Sequence, residues 1–133
     1  MCIRDRFPTT YWLTCPMYNK KIGSLESHGL IKELDKEIIN NPELKKQWKS
    51  RQISYEQERE RLETKDIGPK ASGGVGGATE SIKCLHSHTA DELSTGQNVI
   101  GKIVIESIGG FNCEEMCINS ETFEKNKDWK IVW

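Results

Sequence analysis

The sequence predicts a mainly α protein: a small orthogonal or bundle-like helical array with an extended N-terminal segment and an irregular C-terminal tail. Three observations carry that expectation. Apolar residues recur every three to four positions through much of the chain. Cap-and-proline signals open the segments, as at Cys15-Pro16 and Asn40-Asn41-Pro42-Glu43. Glycines close them, at Gly29, Gly96 and Gly109-Gly110.

Residues 7–14, FPTTYWLT, are aromatic and β-branched, and Pro8 disfavours a helical start. They read as an extended segment packing Phe7, Trp12 and Leu13. Thr14 or Cys15 then caps a first helix, with Pro16 just inside it, where a missing N–H costs nothing. Tyr18, Ile22 and Leu25 follow at helical spacing, up to Gly29. His28 reads as a surface residue at the negative pole of that helix. A second helix spans residues 30–39, with Ile31, Leu34 and Ile38 on one face.

The third helix starts at Pro42 and carries Leu44, Trp48, Tyr55 and Leu62. Its apolar stripe is thin and contains Arg51, Gln52 and Arg59. Such a helix is usually solvated, its charges pairing weakly on the surface. The alternative turns the polar face toward a ligand or partner. Residues 65–79, KDIGPKASGGVGGAT, read as a loop. Gly73, Gly74, Gly76 and Gly77 allow backbone N–H groups to curl around an anion, or simply make a flexible connector. Neither a P-loop Lys-Ser/Thr nor a dinucleotide fingerprint accompanies them.

Residues 81–95 read as a fourth helix, and Asn98 caps a short fifth over 99–108. In the tail, DWKIVW alternates Trp129, Ile131 and Trp133, which suits a terminal strand or an extended segment. Residues 7–109 are thus expected to form one domain, with 110–133 packing on it. Residues 1–6, MCIRDR, resemble the adapter read-through found at the ends of metagenomic reading frames. They are set aside with Cys2, and if the reading frame breaks there the natural protein is expected to continue upstream of Phe7.

Composition narrows the function. The formal net charge is -1, so no global basic field points to nucleic acid. No apolar run approaches the roughly 20 residues of a membrane helix, and no secretory signal pattern opens the chain. The expected compartment is the cytoplasm, where thiols stay reduced. Cys15, Cys84, Cys113 and Cys117 then read as buried residues, metal ligands or reactive thiols, not as a disulfide framework.

The stretch IKCLHSH, residues 82–88, concentrates the chemistry. On a helical wheel at about 100° per residue, Ile82, Leu85, Thr89 and Leu93 form the buried face. His86 falls within it, while Cys84 and His88 share the opposite face at i, i+4, a spacing that suits a common ion. Only a helix that starts after about Leu85 brings Cys84 and His86 together. Cys15, at a helix N-terminus, is the natural third donor, suited to a zinc ligand or a reactive thiol. A structural reading stands beside this one: Cys packs well, and a histidine on an apolar face is more often a hydrogen-bonded core residue. Cys113 and Cys117 lack the CxxC spacing of a zinc knuckle. No G-x-S-x-G elbow exists, and the acids Glu80, Asp91 and Glu92 either orient a histidine or form a solvated face.

FPTTYWLTCP (7–16), SLESHGLIKEL (24–34), GGVGG (73–77), IKCLHSHTADEL (82–93) and GQNVIG (96–101) occur in that order. Together they resemble the bacterial family known as domain of unknown function 501, over roughly residues 7–101. The resemblance implies an additional segment before the FPT motif, often with cysteine, and draws Cys15, Cys84, His86 and His88 into one set. It brings no activity with it. The chain departs from the family pattern at Val99, where Pro commonly follows Asn, and at the acids Asp91 and Glu92.

Three function classes remain. The first is a bacterial cytoplasmic protein with a Cys/His zinc site built from Cys15, Cys84 and His88, with His86 as an alternate ligand. Four ligands would make such a zinc structural, while three plus water would permit hydrolysis. The second is a non-catalytic interaction module, which requires Arg51, Tyr55 and Arg59 on a free surface. The third is a phosphate or anion site using Gly74, Gly76, Arg51 and Arg59, with Lys70 beside them.

Overall fold

The computed structural model describes residues 8–62, 70–109 and 113–131. Among the described residues there are five α-helices: α1 (Pro16–Ser27), α2 (Leu30–Asn40), α3 (Pro42–Leu62), α4 (Leu85–Thr95) and α5 (Val99–Ile108). A 3₁₀ turn, Val75–Gly77, lies between α3 and α4. The mainly α expectation holds.

Local chemistry accounts for the boundaries. Cys15 is the N-cap of α1 and Pro16 its first residue. Gly29 sits at φ 92°, in the left-handed region, between α1 and α2, and its carbonyl accepts from the Lys32 N–H at 3.0 Å. Asn41 Oδ1 accepts from the Leu44 N–H at 3.1 Å, capping α3 as its position before Pro42 predicts. Asn98 does the same for α5, accepting from Gly101 at 2.9 Å.

The apolar core joins Ile22 of α1, Leu34 and Ile38 of α2, Leu44 and Trp48 of α3, Ile82 and Leu85 before and in α4, and Ile100 and Val104 of α5. Gly101 lets α5 lie close on α4: a Cβ there would collide with the His88 carbonyl and the Glu92 side chain.

Four expectations need correction. Trp12 is 68% exposed and does not join the core, although Leu13 packs against it. Phe7 lies outside the described residues. The third helix is not a solvated outer helix: Arg51, Gln52 and Arg59 are buried in line with Trp48 and Tyr55. Their polar ends find internal partners, which hydrophobic periodicity cannot register.

The fourth helix begins at Leu85, four residues later than expected. Residues 82–84 lie outside the helix, and carboxylates from other helices bond the amides at either end of the stretch 82–85. The Ile82 N–H donates to Asp35 Oδ1 at 2.9 Å, and the Leu85 N–H to Glu26 Oε1 at 2.8 Å. Finally, of the two alternatives for the tail, the strand is not formed at Trp129 and Ile131, and Trp133 lies outside the described residues. The described tail instead forms a tight turn around Asn119, with one antiparallel bridge between Ile118 and Lys125.

Candidate metal centre

The late start of α4 reorganises IKCLHSH. Cys84 becomes the N-cap of the helix, in extended backbone (φ -151°, ψ 118°), and no longer shares a face with His88. Its Sγ lies 3.9 Å from His86 Nδ1. Glu26, in the last turn of α1, places Oε1 at 3.4 Å from the same nitrogen. One donor atom from each of Glu26, Cys84 and His86 lies within 4.8 Å of the other two. All three residues are half-buried, with the Glu26 and His86 side chains 26% and 29% exposed.

Partners outside the trio fix its orientation. His86 Nε2 lies 3.2 Å from the Asn19 carbonyl of α1. A carbonyl only accepts, so Nε2 carries the proton. Nδ1 is thereby turned toward the thiol and the carboxylate. Glu26 is held in turn by the Leu85 N–H. A ring nitrogen directed at a site while the other donates to a backbone carbonyl is the usual support of a metal-binding histidine.

The arrangement is not a catalytic triad. A relay needs the acid on one ring nitrogen and the thiol on the other. Here both face Nδ1, which suits a cation between them or a proton shared with Glu26. Donors bound to tetrahedral zinc at about 2.0–2.3 Å lie roughly 3.3–3.6 Å from one another. The observed 3.4 and 3.9 Å are within a few tenths of an ångström of that.

His88, the expected partner of Cys84, is instead 1% exposed. Its Nδ1 donates to Asn98 Oδ1 at 3.1 Å, and Nε2 has no hydrogen-bond partner. Burial pushes its imidazole down to about 4, against the opposing effects of the Asn98 hydrogen bond and the charges of Asp91 and Asp35. The wheel thus exchanged the two histidines: His86 faces the site and His88 the core. Cys15 caps α1 but is not one of the three converging residues. It acts on Tyr18, whose phenol is raised by burial first and by Cys15 second. Sequence reasoning missed Glu26. Its only signal was helical position, four residues beyond the fully buried Ile22 and seven beyond Asn19.

A second polar cluster lies on α3, α4 and the start of α5. Arg51 Nε and Nη2 donate to the two oxygens of Asp91, each at 2.8 Å. Nη1 and Nη2 donate to Glu58, each at 2.9 Å, and Nη1 also reaches Gln97 Oε1 at 3.2 Å. Burial alone would lower the guanidinium's pKa, but the hydrogen bonds and charges of Asp91 and Glu58 hold it raised. Asn98 Nδ2 donates to Asp91 Oδ2 at 2.8 Å, which joins His88 to the same network.

The proposed anion set does not assemble. Arg59 donates to the carbonyls of Pro8 at 2.9 Å and Gly73 at 2.7 Å, clasping the Gly-rich loop. Gln52 accepts the Val75 N–H at 3.0 Å and donates to the Ala78 carbonyl at 3.1 Å. The Gly74 N–H bonds the Ala78 carbonyl at 2.8 Å, while Gly76 sits at φ 64° in the 3₁₀ turn. The cations therefore face carboxylates and carbonyls of the protein. The interaction-module reading loses its surface for the same reason, because Arg51, Tyr55 and Arg59 are all buried.

No helix among the described residues is long and apolar enough to cross a membrane. A search of curated proteins and a search of solved structures return no match to this chain. The family model of DUF501, described as a protein of unknown function, matches residues 3–106, a span that includes Glu26, Cys84 and His86. The chain belongs to the DUF501 family.

Proposed function

We propose that this protein binds a divalent metal ion, zinc by preference, through Glu26, Cys84 and His86. One observation carries the reading: a thiol and a carboxylate meet at the same imidazole nitrogen, while the other ring nitrogen is tied to the Asn19 carbonyl. A mixed sulfur, nitrogen and oxygen set suits zinc, whereas magnesium and calcium favour oxygen alone. Three protein ligands leave a tetrahedral ion one further position for water or another donor. The reading places the protein in the bacterial cytoplasm, where a thiol ligand stays reduced.

The test is metal content, measured by mass spectrometry on protein purified without a metal-binding tag. About one zinc per chain is expected. Cys84→Ala and His86→Ala, shown by circular dichroism to remain helical, should each lose it. Metal-free protein that also takes up no zinc in calorimetry would defeat the proposal.

A further inference from the structure

The donors come from two helices that are already cross-linked. Glu26 of α1 accepts from the first amide of α4, and His86 of α4 donates to the backbone of α1. Cys84 occupies the cap position of α4 without making a side-chain cap hydrogen bond of its own. The first turn of α4 is thus held on α1 by two hydrogen bonds, and the three donor side chains sit at that junction. His86, Cys84 and Glu26 are all half-buried, so the junction is partly open to solvent.

From this geometry we infer that the ion's role is that of a staple, which docks the start of α4 onto α1. The inference rests on the metal-binding reading and assigns that site a task. Binding would release the Cys84 thiol proton to solvent, with the sulfur, Nδ1 and the Glu26 carboxylate as the groups that would hold the cation. The Asn19 hydrogen bond is on the ring nitrogen away from the site and remains in place, while the Leu85 amide bonds Glu26 Oε1, the oxygen that faces His86, and would share it with the ion. An ion so placed ties three points of the α1–α4 junction together. The helix it fixes also carries His88 and Asp91, through which α4 holds Asn98 and Arg51. Docking of α4 therefore sets the position of the buried network as well.

Hydrogen–deuterium exchange of the full chain, with zinc and with chelator, tests this. Zinc should slow exchange most at residues 85–91 and 19–28, by tenfold or more. The C-terminal half of α3 and residues 113–131 should change least. Glu26→Gln, which keeps an oxygen for the Leu85 amide, should lose that localised protection. Three results are informative. Zinc uptake in calorimetry with localised protection supports the staple. Zinc uptake with unchanged exchange in α4 overturns the staple and leaves the metal site standing. No zinc uptake overturns both.

Discussion

His86 and His88 stand two residues apart on α4 and do opposite things: His86 turns Nδ1 toward Cys84 and Glu26, while His88 is enclosed and hydrogen-bonded to Asn98. Little more than half a turn of helix separates a half-buried donor set from a buried polar core. The consequences of each environment are measurable.

Acid should weaken the fold through His88. Above about pH 6.5 the folded and unfolded chains both hold this imidazole neutral, and it adds no pH dependence. Between about 6.5 and about 4 the unfolded chain takes up a proton that the folded chain refuses. Stability therefore falls as pH falls through that window, by on the order of 3 kcal/mol at its lower end. Urea denaturation at pH 7 and pH 5 measures the loss. An NMR titration should show His88 neutral at pH 5.5, and a protonated imidazole in folded protein at that pH would contradict the assignment.

Asp91→Ala should destabilise the protein by about 3 kcal/mol or more, because it leaves a buried guanidinium half-compensated. Glu58 retains its bonds to Arg51 and limits the damage. Glu58→Ala should cost less, about 1 kcal/mol, since its side chain is 38% exposed. Equal losses in the two variants, measured by chemical denaturation, would mean that the buried pair has no special weight.

Gly101→Ala tests close packing of α4 on α5. An added methyl meets the His88 carbonyl and the Glu92 side chain. Overpacking of this kind costs about 1–3 kcal/mol, although alanine is the better helix former. A thermal melt at or above that of the parent protein would show that the helices separate without penalty.

Cysteine substitutions separate cap from ligand. Cys15→Ala should retain zinc, because Cys15 is outside the converging trio. Cys84→Ser should weaken zinc binding by at least tenfold, since an alkoxide is a poorer partner for zinc than a thiolate. Competition with a chromogenic chelator gives both affinities. Loss of zinc in Cys15→Ala with the fold intact would move the site toward the start of α1.

Much of the fold was legible because it is encoded locally. Proline after a capping residue fixes the starts of α1 and α3, and Asn98 fixes α5. The start of α4 was not legible. It depends on Asp35 and Glu26, which lie 47 and 59 residues from the amides they accept. That displacement exchanged the roles of the two histidines. Cys84 and His86 were visible as candidates, but Glu26 had no motif to announce it. Arg51 and Arg59 read as surface charges because their partners are distant: Asp91 for one, the carbonyls of a glycine loop for the other.

The charged spine of α3 sets how this chain tolerates change. An oily contact accepts a neighbour of similar size and a small rotation of the helix. A guanidinium bonded at fixed angles to two carboxylates accepts neither. Substitutions along Leu34 and Ile38 of α2 should be forgiven if volume is kept, whereas at Arg51 even lysine is a loss. Variation in this protein is therefore least free on the helix that looks, by composition, most like a surface.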